Sequence, residues 1–352
     1  MEILPKILNF TEFKVVSYYD YLYLNQCILK GMKKNISFDN LLPDTPPTKP
    51  ILVGRFHHKI MEYLHTVATL SEFQNTIENE IASLQHEIME WPHFKNSGSV
   101  RGWVEINKSA SFALRAFKNK AQVKELRNTK IESSLISKDN TLIGRPDLFS
   151  IKENMGFIKE LKSSNLFDSD GILKVEYYDQ LIFYAILLFD NYVLESIDAL
   201  LESLHGETYK VTISKEEAEI SRRTILMNIK IANEKIRNTI NILDIAYPSQ
   251  TACRGCQKRI ICKEYKINQL SLNLNGDEFV LDGFLISINN NTQQGISQLN
   301  IHHNYLNKIF IIYIPNNKAL DLKPNYNYLF SNLSIEKHGY VWTNKSRIYS
   351  YD

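Results

Sequence analysis

Two short apolar runs in this chain carry charged side chains, and this feature constrains the fold more than any other. Residues 143 to 164 read IGRPDLFSIKENMGFIKELKSS, with Asp147 in the first run and Glu160 and Lys162 in the second. Ionised groups are costly on the buried side of a sheet unless they are paired or bind a metal ion. The stretch therefore predicts a pair of strands built around a polar site.

The geometry of a strand pair indicates what such a site could hold. Side chains alternate along a strand, so Glu160 and Lys162 share one face and Leu161 lies on the other. A hairpin turn at residues 153–154 sets Asp147 beside Glu160. Two adjacent carboxylates repel unless a cation lies between them, and oxygen ligands suit Mg²⁺ or Mn²⁺. The alternative is an ordinary strand pair whose charged residues face solvent.

The order of helical and strand patterns along the chain predicts an α/β fold with a helical N-terminal region. Apolar spacing and capping signals predict helices, and short β-branched runs between turn residues predict strands. The predicted helices cover residues 17–33, a segment beginning near 53, 71–90, 103–127, 173–190 and 214–243. The predicted strands cover residues 129–137, 139–151, 155–163, 192–202 and 207–213, with hairpin turns at 139–140, 153–154 and 206–207.

The composition shifts near residue 266, where Asn and Tyr become frequent and helical periodicity ends. We therefore expect two domains, residues 1–265 and a small all-β domain at residues 266–352, a length that can fold alone. Aromatic residues interleaved with cations suit an OB-like barrel that binds single strands by stacking. A β-sandwich or barrel whose aromatics fill its own core, and a protein-interaction module, are the alternatives.

Charge and hydropathy exclude some classes of protein. The net charge is only +2, which does not by itself imply a nucleic-acid partner, although a local basic groove would not show at this level. No apolar run approaches the roughly 20 residues that a membrane span needs, and the N-terminus lacks signal-peptide features. We expect a cytoplasmic protein without a membrane partner.

The four cysteines form one candidate metal site. Cys253, Cys256 and Cys262 have C-x2-C-x5-C spacing, and Cys27 lies more than 220 residues earlier. A four-cysteine site can hold Zn²⁺ or a 4Fe–4S cluster, and zinc ribbons ordinarily use two paired C-x-x-C motifs. Four unrelated buried thiols are the third alternative.

Several motifs occur together in a fixed order, and the set resembles a known family. The chain is similar to RecB-like exonucleases of the PD-(D/E)xK superfamily that carry a four-cysteine iron–sulfur cluster, including CRISPR-associated adaptation nucleases and AddB-type nuclease domains. The resemblance covers residues 15 to about 265 and excludes the C-terminal segment. The matching elements are Cys27 in YDYLYLNQC, GRFHHKIME at 54–62, GRPD ending at Asp147, Glu160-Leu161-Lys162, the Q-x-x-x-Y motif at Gln180 and Tyr184, and Cys253, Cys256 and Cys262.

The resemblance implies roles for these residues. His58, Asp147, Glu160 and the main-chain carbonyl of Leu161 would hold Mg²⁺ or Mn²⁺, and Lys162 would position or activate water. Gln180 and Tyr184, which share a helix face at i and i+4, would orient the substrate or Lys162. The resemblance also favours a 4Fe–4S cluster over zinc at Cys27, Cys253, Cys256 and Cys262. There the cluster would tie the first helix to the end of the domain.

The implied function is a PD-(D/E)xK metal-dependent DNA exonuclease acting on single-stranded DNA or DNA ends, in repair, recombination or defence. Two other functional classes are also compatible with the sequence. One is a DNA-binding subunit of a helicase–nuclease or defence complex that is active only with its protein partner. The other is a zinc-stabilised interaction protein with a decayed site.

Overall fold

The computed structural model describes residues 2–3, 11–32, 49–90, 99–120, 129–239, 242–254, 256–272, 279–291, 294–336, 339–343 and 346–351. The chain divides into two compact units that interleave in sequence. The central unit comprises Lys14–Tyr18 and Thr45–Met227, and the flanking unit comprises Met1–Phe13, Tyr19–Asp44 and Asn228–Asp352. That residues 1–265 and 266–352 fold as two independent domains stays a prediction.

The helices lie close to the positions that apolar periodicity predicts, with one break that periodicity did not indicate. The segment predicted as one helix over residues 17–33 forms two, and the extended backbone of Cys27 separates them. Residues 121–127, the end of the predicted third long helix, lie outside the described residues. The helices are α1 Tyr18–Gln26, α2 Ile28–Gly31, α3 Lys49–Thr66, α4 Leu70–Glu90, α5 Ser99–Lys120, α6 Val175–Asn191, α7 Lys215–Asn238, α8 Gln250–Cys253, α9 Lys263–Asn268 and α10 Asn316–Ala319.

Most strands fall within the predicted β-branched runs. The runs at residues 129–137 and 139–151, each predicted as one strand, instead form two strands apiece that belong to different sheets. The two-residue strands Glu2–Ile3 and Val16–Ser17 were not predicted. Those of the first part of the chain are β1 Glu2–Ile3, β2 Val16–Ser17, β3 Thr129–Ile131, β4 Leu135–Ile136, β5 Leu142–Gly144, β6 Leu148–Lys152, β7 Met155–Lys162, β8 Ser196–Ser203 and β9 Thr208–Ser214. Those of the C-terminal part are β10 Phe279–Asn291, β11 Ile296–His303, β12 Ile309–Pro315, β13 Asn327–Glu336, β14 Gly339–Val341 and β15 Arg347–Tyr351.

The central unit is built on a five-stranded sheet in the order β3-β6-β7-β8-β9. Strands β7 and β8 run parallel, and the other neighbours are antiparallel. The hairpin turns expected at residues 153–154 and 206–207 are confirmed, and Glu153 and Gly206 adopt the positive φ that tight turns require. Helix α6 packs on this sheet and on β4 and β5, and nearly all its apolar side chains are buried.

Helices α3, α4 and α5 pack together and bury a second apolar core in the central unit. Their inward side chains recur at helical spacing, as in Phe56, Ile60 and Leu64 on α3. Leu161, at the end of β7, belongs to the same core. This core therefore fixes α3 against the strand that carries Glu160 and Lys162.

The six C-terminal strands of the flanking unit and β1 form one seven-stranded sheet in the order β1-β15-β13-β10-β11-β12-β14. Strand β13 also pairs with β14, so β10, β11, β12, β14 and β13 form a closed ring of hydrogen-bonded neighbours. The pairing of β12 with β14 is parallel, and the other pairings in the ring are antiparallel. The ring encloses its own apolar core, to which Tyr328 and Tyr340 contribute.

Helix α9 and the 3₁₀ turn after it are bonded to the first strand of this ring. The Lys266 ammonium forms a buried ion pair with the Asp282 carboxylate. The Gln269 side chain accepts from the Val280 N–H at 2.9 Å and donates to the Val280 carbonyl at 2.6 Å. Within the described residues, no helix has both the length and the apolar composition that a membrane crossing requires.

Candidate active site and cysteine cluster

Asp147 is the point at which three elements of the central unit meet. It follows the short strand β5 and directly precedes β6, so its carboxylate lies beside β7. Its Oδ2 accepts the Leu161 N–H at 2.6 Å, and its Oδ1 lies 3.0 Å from Nδ1 of His58 on α3. The Asp147 N–H in turn faces Glu160 Oε2 at 3.4 Å. The structure thus brings His58, Asp147 and Glu160 together.

The two adjacent histidines of α3 have different surroundings. His58 faces Asp147, whereas His57 is buried, with Nδ1 2.7 Å from Ser109 Oγ and its ring against Phe112. Burial, with a smaller effect of His58, lowers the pKa of His57 to about 4. Burial alone would also lower the pKa of His58, but the hydrogen bond and charge of Asp147 raise it. Of the two imidazoles, only that of His58 is placed to act with Asp147.

Glu160, Lys162 and Gln180 form a closed hydrogen-bonded triangle in the interior. Lys162 Nζ lies 3.0 Å from Glu160 Oε1 and 2.5 Å from Gln180 Oε1, and Gln180 Nε2 donates to the same glutamate oxygen at 3.0 Å. Burial raises the pKa of Glu160 to about 7, the charge of Asp147 adds to this, and Lys162 opposes it. The ion pair with Lys162 offsets part of the cost of burying this carboxylate.

Helix α6 supplies Gln180 and Tyr184, one turn apart on the same face. Gln180 Nε2 donates to the Tyr184 hydroxyl at 3.0 Å, and Tyr184 is buried. A Cβ on Gly144 would lie 2.9 Å from the Tyr184 ring and 2.6 Å from Leu187, so only glycine allows β5 to approach α6 this closely. The ring of Tyr177, at the start of the same face, lies 5.1 Å from Lys162 Nζ.

Glu132 belongs to this site, although no sequence motif marked it. Strand β3 pairs with β6 so that Ile131 lies opposite Leu148, and the next pair along is Glu132 and Asp147. The ligand atoms of His58, Glu132 and Asp147 all lie within 4.8 Å of one another. Burial and the charge of Asp147 raise the pKa of Glu132. The pairing register, which an isolated IESS sequence does not show, is the signal that could have identified it.

An open pocket leads to this part of the site. Its lining includes His58, Glu62, Glu132 and Asp147. Glu160 and Lys162 are not part of the lining, and both are buried. The site therefore has an accessible side at His58, Glu132 and Asp147 and an interior side at Glu160 and Lys162.

The four cysteines of the flanking unit are all unbridged, and three of them are buried. Cys27 lies at the break between α1 and α2, and the Tyr247 N–H points at its sulfur at 3.4 Å. Cys253 ends α8, Cys256 precedes a 3₁₀ turn, and Cys262 caps α9. Electrostatic coupling among the thiols shows that Cys27 lies near the other three.

Burial dominates the electrostatics of these thiols. It raises the pKa of Cys253 to about 11 and that of Cys262 to about 12. The Lys258 ammonium is buried beside the cluster and donates to the Leu29 carbonyl at 2.5 Å, at the C-terminal end of α2. Ligation by a metal would replace the thiol protons and remove the cost of ionising these sulfurs in the interior.

Comparison with known proteins places the chain in a family. Residues 25–263, more than half of the chain, match the PD-(D/E)XK nuclease superfamily. No curated protein matches the sequence. Solved structures that the chain matches include a Eubacterium rectale protein whose name describes it as an exonuclease, at 12% identity and a TM-score of 0.39, covering 64% of this chain and 82% of that one. Another is the protein SSO0001, at 14% identity and a TM-score of 0.26, covering 60% and 94%. The family match alone is sufficient to assign the chain. This chain belongs to the PD-(D/E)XK nuclease superfamily.

Proposed function

We propose that this protein is a metal-dependent DNA exonuclease of the RecB-like type, acting on single-stranded DNA or DNA ends in cytoplasmic repair, recombination or defence. The observation that carries the proposal is the connected set of His58, Asp147, Glu160 and Lys162 behind an open pocket. Membership of the superfamily implies a divalent metal ion and a nucleic-acid phosphodiester substrate.

The donor atoms at the pocket fit a divalent ion. An imidazole nitrogen and a carboxylate oxygen lie 3.0 Å apart at His58 and Asp147, and the Glu160 carboxylate is adjacent. A nitrogen with oxygen ligands favours Mn²⁺ over Mg²⁺. We propose that His58, Asp147, Glu160 and the Leu161 carbonyl hold the ion, which when bound neutralises charge developing on the phosphate.

The remaining residues of the site act on water and on one another. Lys162 Nζ, held by Glu160 and Gln180, is proposed to orient the water that attacks in line with the leaving oxygen. Gln180 positions Lys162, since its carbonyl oxygen accepts from Nζ while its amide donates to Glu160. Tyr184 positions Gln180 by accepting its second N–H.

A cleavage assay with end-labelled single-stranded DNA and Mn²⁺ tests the function and the role of Lys162 together. The protein is purified without oxygen, and Lys162→Ala is measured beside the wild type. We expect cleavage by the wild type alone and Mn²⁺ binding by both proteins. Cleavage retained in Lys162→Ala would overturn the role of the lysine. Absence of cleavage by the wild type, with DNA binding intact, would instead support a subunit that requires a protein partner.

We propose that the four cysteines hold a 4Fe–4S cluster rather than zinc. Zinc ribbons ordinarily use two paired C-x-x-C motifs, whereas this chain has one such motif, one trailing cysteine and one cysteine more than 220 residues away. Electrostatic interactions link Cys27 with the other three thiols, as a four-cysteine cluster requires. Iron analysis and visible absorption of protein purified without oxygen test this, and stoichiometric zinc without iron would overturn it.

We propose that the C-terminal ring of strands is an OB-like barrel that holds the DNA strand. The proposal is supported by five strands that close a ring through the pairing of β13 with β14. In OB folds, the face of the second and third strands binds oligonucleotides. The corresponding strands here are β11 and β12, whose register places Gln298 opposite Tyr313 and Asn300 opposite Ile311.

The outer face of β10, β11 and β12 has the side chains that such binding uses. Phe284 on β10 is exposed, and Tyr313 on β12 is half-buried. Between them, the Asn300 amide donates to Ser287 Oγ at 2.8 Å, and Gln298 lies next to it on the same face. Aromatic rings can stack on bases of any sequence, and amides can donate and accept hydrogen bonds at base edges.

Single-strand binding by the Lys162→Ala protein tests this face without cleavage of the probe. Replacement of Phe284 and Tyr313 by alanine should weaken binding of a fluorescent oligonucleotide about tenfold or more, since each stacked base contributes roughly 1–3 kcal/mol. Tyr19→Ala, which removes an exposed tyrosine outside the barrel, is the matched control and should leave binding unchanged. Equal affinities for the double variant and its parent would refute the assignment.

A further inference from the structure

We propose that Glu132 is a ligand of the divalent ion, together with His58 and Asp147. This inference rests on the proposed nuclease function and adds a residue that the sequence motifs do not contain. Glu132 Oε1 lies 3.8 Å from His58 Nδ1, and His58 Nδ1 lies 3.0 Å from Asp147 Oδ1. An ion placed among these three atoms would be in reach of all of them, because they lie within 4.8 Å of one another.

The backbone holds Glu132 at this position. The Glu132 N–H donates to the Asp147 carbonyl at 3.0 Å, which continues the pairing of β3 with β6 by one residue. Glu132 has a φ of 45°, in the left-handed region that residues other than glycine rarely adopt. Such a conformation persists where the surroundings determine it, and here it turns the chain at the rim of the site.

Arg145 contacts one of the two oxygens of the Glu132 carboxylate, and His58 faces the other. Its Nε lies 2.7 Å from Oε2 and donates to the Glu132 main-chain carbonyl at 2.6 Å. The other oxygen, Oε1, faces His58. The carboxylate is therefore oriented before any ion binds, with one oxygen on the guanidinium and one on the side of the histidine.

The accessible side of the site favours Glu132 over Glu160 as the first acidic ligand that an entering ion meets. His58, Glu132 and Asp147 line the open pocket, whereas Glu160 is buried behind them. Both Glu160 oxygens already have partners, Oε1 in Lys162 and Gln180 and Oε2 in the Asp147 N–H. A nitrogen with two carboxylates at the pocket is a donor set suited to Mn²⁺.

The test is Mn²⁺ binding by calorimetry and by the EPR signal of free Mn²⁺, with DNA absent. Glu132→Gln should raise the Mn²⁺ dissociation constant at least tenfold. Glu132→Asp, which keeps the charge but shortens the side chain, should lie between this variant and the wild type. Glu62→Gln is the matched comparison, since it removes a carboxylate that lines the same pocket outside the three-residue group, and it should raise the dissociation constant less than Glu132→Gln does.

The outcomes separate this inference from the proposed function. Asp147→Asn should abolish Mn²⁺ binding, and a wild type that binds no Mn²⁺ would overturn both the function and the role of Glu132. Wild-type affinity in Glu132→Gln, with binding lost in Asp147→Asn, would overturn only the role of Glu132. Cleavage gives a further readout, because loss of a ligand should raise the Mn²⁺ concentration needed for half-maximal rate more than it lowers the rate at saturation. Circular dichroism confirms that each variant is folded.

Discussion

Lys162 shows how one buried charge is tolerated when every partner is present. Its ammonium has the Glu160 carboxylate and the Gln180 carbonyl oxygen within hydrogen-bonding distance and the Tyr177 ring nearby. Removal of one member of a buried charged set is costly, because the others are left without compensation. The same contacts that satisfy Lys162 also fix its direction, so stability and the proposed catalytic geometry depend on the same residues.

Gln180 should therefore matter for both. Gln180→Met keeps the approximate volume but removes one partner from each of Lys162, Glu160 and Tyr184. We expect a loss of roughly 1–3 kcal/mol in the free energy of unfolding. Cleavage should fall about tenfold or more, as for residues that orient a catalytic group. Urea denaturation and steady-state kinetics measure the two effects, and Gln74→Met at an exposed position of α4 is the control. Unchanged kinetics in Gln180→Met would contradict the positioning role.

His57 should make the stability depend on pH. Its pKa is about 4 in the folded protein, against roughly 6.5 when unfolded, because burial disfavours the imidazolium. A depressed pKa contributes stability above the unfolded value, and this is lost as the pH falls through the folded value. The loss should reach roughly 3 kcal/mol between pH 6.5 and 4. Urea denaturation at several pH values measures it, and His57→Gln should show a smaller decline. Parallel profiles would show that another group is responsible.

At the residue scale, the sequence identifies the side chains that local spacing places on a common face. Glu160 and Lys162 share a face because strands alternate, and Gln180 and Tyr184 share one because helices repeat at i+4. Glu132 has no such signal. Its place beside Asp147 follows from the register of β3 on β6, and register is a long-range property that a short sequence does not specify.

At the scale of elements, the break at Cys27 is the clearest feature that periodicity did not indicate. Apolar spacing runs through residues 17–33 without interruption, yet Cys27 has an extended backbone between α1 and α2. A contact at the break comes from a residue distant in sequence, since the Tyr247 N–H points at the Cys27 sulfur at 3.4 Å. Local patterns predict that an element exists more reliably than where it is interrupted.

The ion pair between α9 and β10 gives a prediction at this scale. Lys266→Met leaves the Asp282 carboxylate buried without its cation, and we expect a loss of about 3–5 kcal/mol in the free energy of unfolding. Adding Asp282→Leu should recover much of that loss, since the uncompensated charge is removed.

The exposed pair of Arg237 and Glu12 in the same unit is the control. Arg237→Ala should cost at most about 1 kcal/mol. Chemical denaturation of these variants gives the free energies of unfolding that are compared. A loss in Lys266→Met as small as that in Arg237→Ala would show that the pair does not tie α9 to the barrel.

At the scale of the whole molecule, composition predicts the β-rich character of the C-terminal part but not which of its strands pair. Alternating burial along β11 is readable from sequence, whereas the parallel pairing of β12 with β14 joins strands that are distant along the chain. Some aromatic residues of this part fill its own core, and others are exposed and available for binding. Tyr328 and Tyr340 are buried in the core of the ring and Tyr349 is buried on β15, while Tyr305 and Tyr326 are exposed.

The proposed cluster should stabilise the molecule mainly through Cys27. Ligation of Cys27 together with Cys253 closes a loop of more than 200 residues, whereas Cys253 and Cys256 enclose only a short one. If ligation constrains the unfolded chain as a disulfide does, the long closure contributes about 5 kcal/mol and the short one about 2 kcal/mol. Cys27→Ser should therefore destabilise the protein more than Cys256→Ser.

Thermal and urea denaturation without oxygen, with iron measured in each sample, provide the test. Iron-free wild-type protein sets the loss expected when all ligation is absent. Cys256→Ser should retain more of the stabilisation than Cys27→Ser at the same iron content, because the ligand from the distant helix is still present. Equal losses at equal iron content would show that the cluster acts only on the local segment from Cys253 to Cys262, and that Lys258 rather than ligation of Cys27 holds α2.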